Sequence, residues 1–455
     1  MFLPRKCSET STETEVKTMI NAGDIQKVFG INLYCNSEMN VNMLNWIDLY
    51  SDNFEYKNER IKNIGLPLAI SSEFARLAMT EFSCSLKNSA ADRDFQLFAN
   101  NLQNAVEIGC AVGGLVFKPY VSNGRIYTDI VKQSDFYPVR YNAYGITSAV
   151  LPEQITVENR VYTRLEYHDF NEYDGSHSVY NKCFCSSDIS ALGSECSLKS
   201  IPQWSELKEK HIFYNVPSPL FSFFKTPFSN HIDFGSPLGI SVFGNAIELI
   251  RQADEHWERI LWEFESSERA IDATEDIFRM KDGKPQLPKG RERMFRTYDI
   301  MSSADSRPFI ETFSPEIRDN SLFNGFNRIL QRIEFNCGLA YGTISDISNV
   351  EKTAEEIKTS KQRSYANICM IQRNLKSALE NLAVSYGYLL SCDCSLTCTF
   401  GDSVLEDTEK EFQRRLQMVS AGILSKEQFI SWYFGCSPDE AVNYLPKTAD
   451  LFGGE

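Results

Sequence analysis

The residues that could do chemistry in this chain are its clustered carboxylates, thiols and bases. Glu263, Glu265 and Glu268 lie close together, followed by Asp272, Glu275 and Asp276. Carboxylates grouped in this way could hold Mg²⁺ for phosphodiester cleavage. Their spacing fits no ligand pattern with a geometric justification, however, and a charge run near a helix end is ordinarily a solvated face. Cys183 with Cys185, and Cys392 with Cys394 and Cys398, lack the paired CxxC spacing of a structural zinc site. Residues two apart on a strand share a face but stand roughly 6.6 Å apart at Cα, the edge of disulfide reach. Reduced, packed thiols are therefore expected in both groups. The histidines, at 168, 177, 211, 231 and 256, are dispersed in sequence. No GxxxxGK[ST], HExxH or GxSxG is present, so the phosphate cradle, the zinc-protease helix and the nucleophile elbow are absent as motifs. The residues make no positive case for an enzyme, and no catalytic residue, metal or cofactor is expected.

One basic cluster remains: Lys281, Lys284, Lys289, Arg291, Arg293 and Arg296, interrupted by Asp282 and Glu292. Two readings are open, a docking surface for an acidic partner or DNA, and an exposed hairpin of mixed charge. The 455-residue chain as a whole carries a formal charge of -15. A protein that grips duplex DNA is ordinarily basic. An acidic wall would instead repel phosphates and let the polymer slide, although acidity also simply aids solubility. A 42% hydrophobic content, with 31 Phe and 20 Tyr, is enough for a substantial core. The length suggests roughly two to four domains. No run approaches the ~20 apolar residues of a membrane span, and Met1 to Thr14 lacks a signal-peptide core, so a soluble, intracellular protein is expected.

The elements that must position these groups follow from periodicity. Residues 1–39 read as a mobile polar arm, with a helix near Met43 to Tyr50. Pro67 to Ser83 and Asp94 to Ile108 are apolar at helical spacing. Asn123-Gly124 between Leu115–Val121 and Arg125–Ile130 predicts a hairpin. Further strands are expected at Thr147–Leu151, at Asn159–Tyr167, where Val161, Thr163, Leu165 and Tyr167 alternate with Tyr162, Arg164, Glu166 and His168, and at Ser178–Cys185. Ser186 to Ser200 reads as an exposed loop and Pro217 to Gly239 as an irregular connector. A helix is expected over Pro237 to Glu268, its stripe formed by Ala246, Ile250, Ala253, Trp257, Ile260, Leu261 and Phe264. A turn-rich insert follows over 271–313, in which Ile277–Met280 and Met294–Tyr298 could pair. A second helix opens at Pro315 and runs to about Asn336, with Leu322, Phe326, Ile329, Leu330 and Ile333 on its apolar face. After a polar interruption, Ser348 and Glu351 fit a capping box for a helix of about forty residues, some ~60 Å long. Its first half is polar and its second apolar through Ile368, Ile371, Leu375, Leu379 and Leu382. An extended piece at Ser395–Phe400 and helices at Asp407–Ser420, Lys426–Phe434 and Pro438–Tyr444 complete the chain.

This order of parts resembles the portal proteins of long-tailed bacteriophages of Gram-positive bacteria. The matching stretches are Asp135 to Arg140 (DFYPVR), Gly235 to Phe243 (GSPLGISVF) before Ala246-Ile247-Glu248, Phe313 to Arg318 (FSPEIR), Phe335 to Gly342 (FNCGLAYG) before Lys352 to Ile357 (KTAEEI), and Val419 to Ser425 (VSAGILS) with Trp432-Tyr433. They span about residues 40 to 445, in the family's order. Residues 1–39, the loop at 186–200 and the Cys-rich stretch at 392–398 depart from the family's pattern.

The resemblance implies an α+β portal fold. Residues 40–236 and 353–390 would form an α/β wing, 237–268 and 315–336 two antiparallel stem helices, 269–314 a small α/β clip, 337–352 a tunnel loop, and 391–455 a helical crown. It implies a homo-oligomeric ring, a dodecamer, at a capsid vertex of the virion, assembled in the host cytoplasm, through which double-stranded DNA is packaged and ejected. Implied partners are the large terminase subunit, a head-tail connector, and the major capsid and scaffolding proteins, with no membrane. Thr343, Ser345, Asp346, Ser348 and Asn349 would touch DNA. Lys284, Lys289, Arg291, Arg293 and Arg296 would dock terminase and connector on the clip. Ile250, Trp257, Leu261, Phe264, Phe326, Ile329 and Ile333 would pack the stem. A head-tail adaptor or minor capsid protein is a second reading, and an Mg²⁺-dependent nuclease a third.

Overall fold

A computed structural model describes residues 20–274, 278–281, 284–285, 294–298, 310–346, 354–401, 408–434, 438–441 and 444. Its first helices begin where asparagines can cap them. Asn21 precedes α1 (Ala22–Phe29), and Asn36 precedes α2 (Ser37–Tyr50), where its Oδ1 accepts from Met39 N at 2.7 Å. The expected mobile arm is, from Ile20 onward, part of the body. Ile20 and Ile25 are buried against Tyr137, Val150 and Leu165, and Tyr137 Oη donates to the Ile20 carbonyl at 2.8 Å. α3 (Leu66–Ala78) leads through β1 (Ser83–Leu86) to α4 (Ser89–Ala99) and α5 (Leu102–Val112). Periodicity predicts one helix across 94–108; two form because Asn100 and Asn101 make a turn there, with Asn101 N donating to Phe98 O at 3.1 Å.

β2 (Gly114–Ser122) and β3 (Arg125–Lys132) form the expected hairpin. Asn123 and Gly124 take φ of 51° and 73°, the doubly left-handed turn that matches strand twist. A larger antiparallel sheet follows, in the order β4 (Tyr137–Asn142), β5 (Gly145–Val157), β6 (Arg160–Asn171), β7 (Ser176–Ser186), β8 (Ser194–Cys196), with β9 (Lys210–Phe213) also on β7. The loop at 186–200 is not wholly exposed: it donates β8, and Leu192 and Leu198 are buried. The connector at 217–239 likewise supplies β10 (Ser222–Lys225), which pairs with β2 and buries Phe224 in the main core.

The helix expected from Pro237 starts ten residues later, as α6 (Ile247–Ser266). The preceding segment is extended through the core, burying Leu238, Ile240, Val242 and Phe243. Its backbone passes so near Gly113 that a Cβ on Gly239 would lie 2.1 Å from the Gly113 carbonyl oxygen. Only glycine allows that approach. The insert that follows contains β11 (Ala270–Thr274), β12 (Met280–Lys281), β13 (Lys284–Pro285), β14 (Phe295–Tyr298) and β15 (Ile310–Phe313). β14 pairs in parallel with β11, which pairs antiparallel with β15, so Met294–Tyr298 does not pair with 277–280 as expected. The contact to that segment is instead between side chains, the rings of Phe278 and Phe295 meeting edge to face at 5.6 Å.

α7 (Asp319–Cys337) and α8 (Ala354–Leu390) complete the framework. α8 is 37 residues long, about 56 Å at 1.5 Å per residue. Ile368, Ile371, Leu375, Leu379 and Leu382 are fully buried against the sheet of β10, β2 and β3 and against α3. The capping residues Ser348 and Glu351 lie outside the described residues. β16 (Leu396–Thr399) closes on β1, and α9 (Thr408–Ser420), α10 (Lys426–Phe434) and α11 (Pro438–Ala441) follow. The fold class is α+β, as expected.

Candidate functional site

The site is a pair of helices with a small β module at one end and a short loop at the other. α6 and α7 lie side by side and antiparallel. Asn336 donates to the Asn245 carbonyl at 3.1 Å near one end; His256 Nε2 meets the Leu322 carbonyl at 3.0 Å in the middle; Arg318 grips Glu263 at the other. Trp257 packs on Phe326 with ring centroids 5.5 Å apart. The shared seam is apolar because Ile250, Ala253 and Ile260 on α6 and Leu330 and Ile333 on α7 are spaced by three or seven residues, which keeps each set on one helix face, and are buried. Trp257, Phe326 and Ile329 are half-buried. Leu261 and Phe264, placed on the packing stripe by periodicity, are 46% and 43% exposed, as is the neighbouring Trp262 at 55%.

Carboxylates on this pair are tied down. Glu263 accepts from Arg318 Nε at 3.0 Å, NH2 at 2.6 Å and backbone N at 3.2 Å. Those Arg318 hydrogen bonds hold its carboxyl below the usual range. Asp254 is buried and receives Tyr56 Oη at 2.9 Å and Ile64 N at 3.1 Å. Burial raises its carboxyl, against the pull of those two bonds. Both side chains are structural pins, one joining the helix pair and the other fastening the 56–64 segment to α6. Asp272 faces Arg296 Nε at 3.5 Å, while Glu275 and Asp276 lie outside the described residues.

The loop after α7 is strapped to that helix. Glu334, with no exposed surface, accepts from Ile344 N at 2.7 Å, Ser345 N at 3.0 Å and Ser345 Oγ at 2.7 Å. Asn327 and Asp346 exchange two further bonds, at 2.8 and 2.9 Å. A buried carboxylate needs such donors, and here they come from consecutive loop residues. Thr343 Oγ1 donates to Ala340 O at 2.6 Å. Ser345 is thus buried and spent on Glu334, whereas Asp346 is exposed. Ser348 and Asn349 lie outside the described residues.

In the insert, Arg296 lies 4.4 Å from the centre of the Phe313 ring, bracing β14 against β15 through β11. Lys284 belongs to β13, and Lys289, Arg291 and Arg293 lie outside the described residues.

Two clusters are missed by sequence reasoning. On α7 and α8, Arg332 and Arg363 lie 5.1 and 4.5 Å from the centre of the Phe335 ring, with Arg328 one turn before. Arg328 and Arg332, four apart, are the available signal. The second is buried between the two sheets. Lys118 Nζ reaches Glu166 Oε2 at 2.8 Å, Arg164 NH2 reaches the same oxygen at 2.9 Å, and His168 Nε2 meets Glu166 Oε1 at 2.9 Å. His168 Nδ1 in turn lies 2.9 Å from His177 Nε2, so two histidines dispersed in sequence are adjacent in space. The cysteines named earlier are free thiols, with Cys183 Sγ 3.2 Å from Cys196 Sγ.

No protein-family model matches the chain, and no curated protein does. Among solved structures, a chain of the virion of native gene transfer agent (GTA) particle aligns at a TM-score of 0.44 and 10% identity, covering 91% of this chain and 98% of that one. A chain in the neck of an empty GTA particle, computed with C6 symmetry, aligns with the same values. Likeness at that level carries no functional weight. Among the described residues no helix is long and apolar enough to cross a membrane.

Proposed function

We propose that this chain is a portal protein, one subunit of a ring-shaped channel at the capsid vertex of a tailed phage. The supporting observation is the antiparallel α6/α7 pair, with a β module joining its far end and a strapped loop returning its near end to a 37-residue helix. Repeated by rotational symmetry, such a pair walls a pore, because each copy contributes two parallel-sided rods and no side chain need cross the axis. The stem is then 237–268 with 315–336, the clip 269–314, the tunnel loop 337–352, and the remainder wing and crown. No nucleotide motif is present in the sequence. A terminase would therefore supply the work of translocation, docking on the clip where Lys284, Lys289, Arg291 and Arg293 lie, and a head-tail connector would follow it there. Within the loop, Asp346 is exposed and Ser345 is an anchor, so DNA would meet the segment from Asp346 onward rather than Ser345.

A different assembly protein of the head, an adaptor or minor capsid component, is the second reading; it leaves the long helix and the insert without a role. Electron microscopy of the purified full-length chain decides. The expected image is a closed ring with a central hole wide enough for duplex DNA. A compact monomer at every concentration, or a filament with no hole, would overturn the channel.

A further inference from the structure

The α6/α7 pair has two exposed faces of opposite character. At 3.6 residues per turn, Glu258, Trp262 and Glu265 fall roughly opposite the α6 residues that touch α7. They lie on one wall of a groove of about 840 Å³ that faces the 59–66 segment and reaches Trp257, Phe326 and Leu330 at the helix seam. Trp262 is 55% exposed, and Arg60 from the opposite wall lies 5.9 Å from the centre of its ring. On α7, Arg328, Arg332 and Phe335 fall on the side away from α6, and Phe335 is 45% exposed. Among the described residues, none of Glu258, Glu265, Arg328 and Arg332 takes part in an ion pair. The α6 side of the pair therefore offers two glutamates flanking an indole, across a groove from Arg60 and Lys62, and the α7 side offers guanidinium groups around a phenyl ring.

We propose that these faces are the two halves of one head-to-tail contact between copies of this chain, the Arg328/Arg332/Phe335 face of one copy seating on the Glu258/Trp262/Glu265 face of the next. The assignment rests on the ring reading above and specifies its interface. Two different faces on opposite sides of a rod make a heterologous contact, which closes into a ring when the rotation allows. Charge complementarity selects the partner and fixes the register, and the rings supply the apolar centre. Duplex DNA is the rival occupant of the arginine face, but it leaves the acidic, tryptophan-bearing side uncovered.

The contact is tested with two full-length variants, Glu258→Lys/Glu265→Lys and Arg328→Glu/Arg332→Glu, by sedimentation velocity and electron microscopy. Each variant alone presents like charges across every contact. Its assembly concentration should rise by about 100-fold, the scale of a like-charge juxtaposition, while far-ultraviolet circular dichroism stays native. An equimolar mixture should assemble again, because contacts between alternating variants join either two reversed faces or two unreversed ones, and each such pair is opposite in sign. The mixed rings must alternate and so contain an even number of subunits. Assembly of each variant alone at the wild-type concentration overturns the interface and leaves the channel reading standing. So does failure of the mixture, or rings of Arg328→Glu/Arg332→Glu that lose only DNA retention. Absence of wild-type assembly at any concentration sinks both. Should a double variant unfold, Glu265→Lys and Arg332→Glu singly, both at exposed positions, carry the same mixing test.

Discussion

The two-sheet region and the α6/α7 pair solve opposite problems. Between the two sheets, charge is buried and answered within one chain. Lys118, Arg164 and Glu166 are at most 3% exposed, and each has partners there: Glu166 alone is met by Lys118, Arg164 and His168. In the α6/α7 pair, apolar surface is left exposed beyond what the chain itself covers, as at Leu261, Trp262, Phe264 and Phe323. The contrast separates a region whose charges are answered within the chain from one that leaves large apolar side chains exposed. Scattered exposed apolar residues are ordinary, but Phe264 and Phe323 meet across the helix pair with ring centroids 6.3 Å apart and are both more than 40% exposed.

The most severe way to break the two-sheet region is to remove one member of its buried charges. Glu166 is pushed upward by burial, but Lys118 and Arg164, with a hydrogen bond from His168, hold it well below the usual carboxylate range. Glu166→Gln keeps the shape and leaves two cations without their shared anion. It should cost about 3–5 kcal/mol of folding free energy, read from urea unfolding of the isolated chain. A loss below about 1 kcal/mol would mean that water or Glu153 already neutralises Arg164, and that the charges between the two sheets depend on one another less than the comparison holds.

A second test uses the histidines of the same cluster. Burial lowers His168, partly opposed by its bond to Glu166; burial and the neighbouring His168 lower His177 well below normal. Facing them are Glu166, Lys118, Arg164 and the rings of Phe170 and Phe221. Both histidines are neutral in the folded protein and take up protons on unfolding once the pH falls below the ordinary value of about 6.5. Folding stability should therefore be flat above about pH 7 and fall as pH drops below 6.5, by about 1.4 kcal/mol per pH unit for each histidine. Glu166 works in a lower window: its stabilisation is present above about pH 4.3, the ordinary glutamate value, and is lost as pH falls toward its depressed folded pKa. Denaturation between pH 5 and 7 separates the two. No slope there, or an unchanged slope in His168→Asn/His177→Gln, would show that the pair is already protonated when folded.

The same contrast accounts for which parts of the fold are legible in the amino-acid sequence. The Asn123-Gly124 hairpin and the apolar half of α8 are legible, because a turn dipeptide and a helical stripe each encode local geometry. Alternation in β6 is legible as a strand but not as an interior. Arg164, Glu166 and His168 share a face, which reads as solvent-facing until Lys118 from another sheet covers it. Period two says that there are two faces and is silent about what each one meets. Between Pro237 and Ala246 the expected α-helix does not form; residues 238–243 are all buried in an irregular segment that ends in a short 3₁₀ turn at Gly244–Ala246. On the site, the helix pair is readable from its apolar stripes. The Glu334 strap is not, since a buried carboxylate meeting backbone N–H groups ten and eleven residues later has no sequence signature.

The smallest effect on folding should come from the α6/α7 pair, and its smallness sharpens the comparison. Leu261→Ser/Phe264→Ser removes two large side chains that are nearly half exposed. Residues in such positions lose little of their surface on folding, so the stability of the monomer should change by no more than about 1 kcal/mol. Assembly should respond quite differently. If the apolar edge of α6 is covered by a neighbouring copy, each ring loses two desolvated side chains at every contact, and binding at interface cores turns on a few such residues. Sedimentation of the variant should therefore show folded monomers under conditions where the wild-type chain assembles. Equal losses in melting temperature and in assembly would place Leu261 and Phe264 in the core of the single chain. That result would erase the distinction between the two regions.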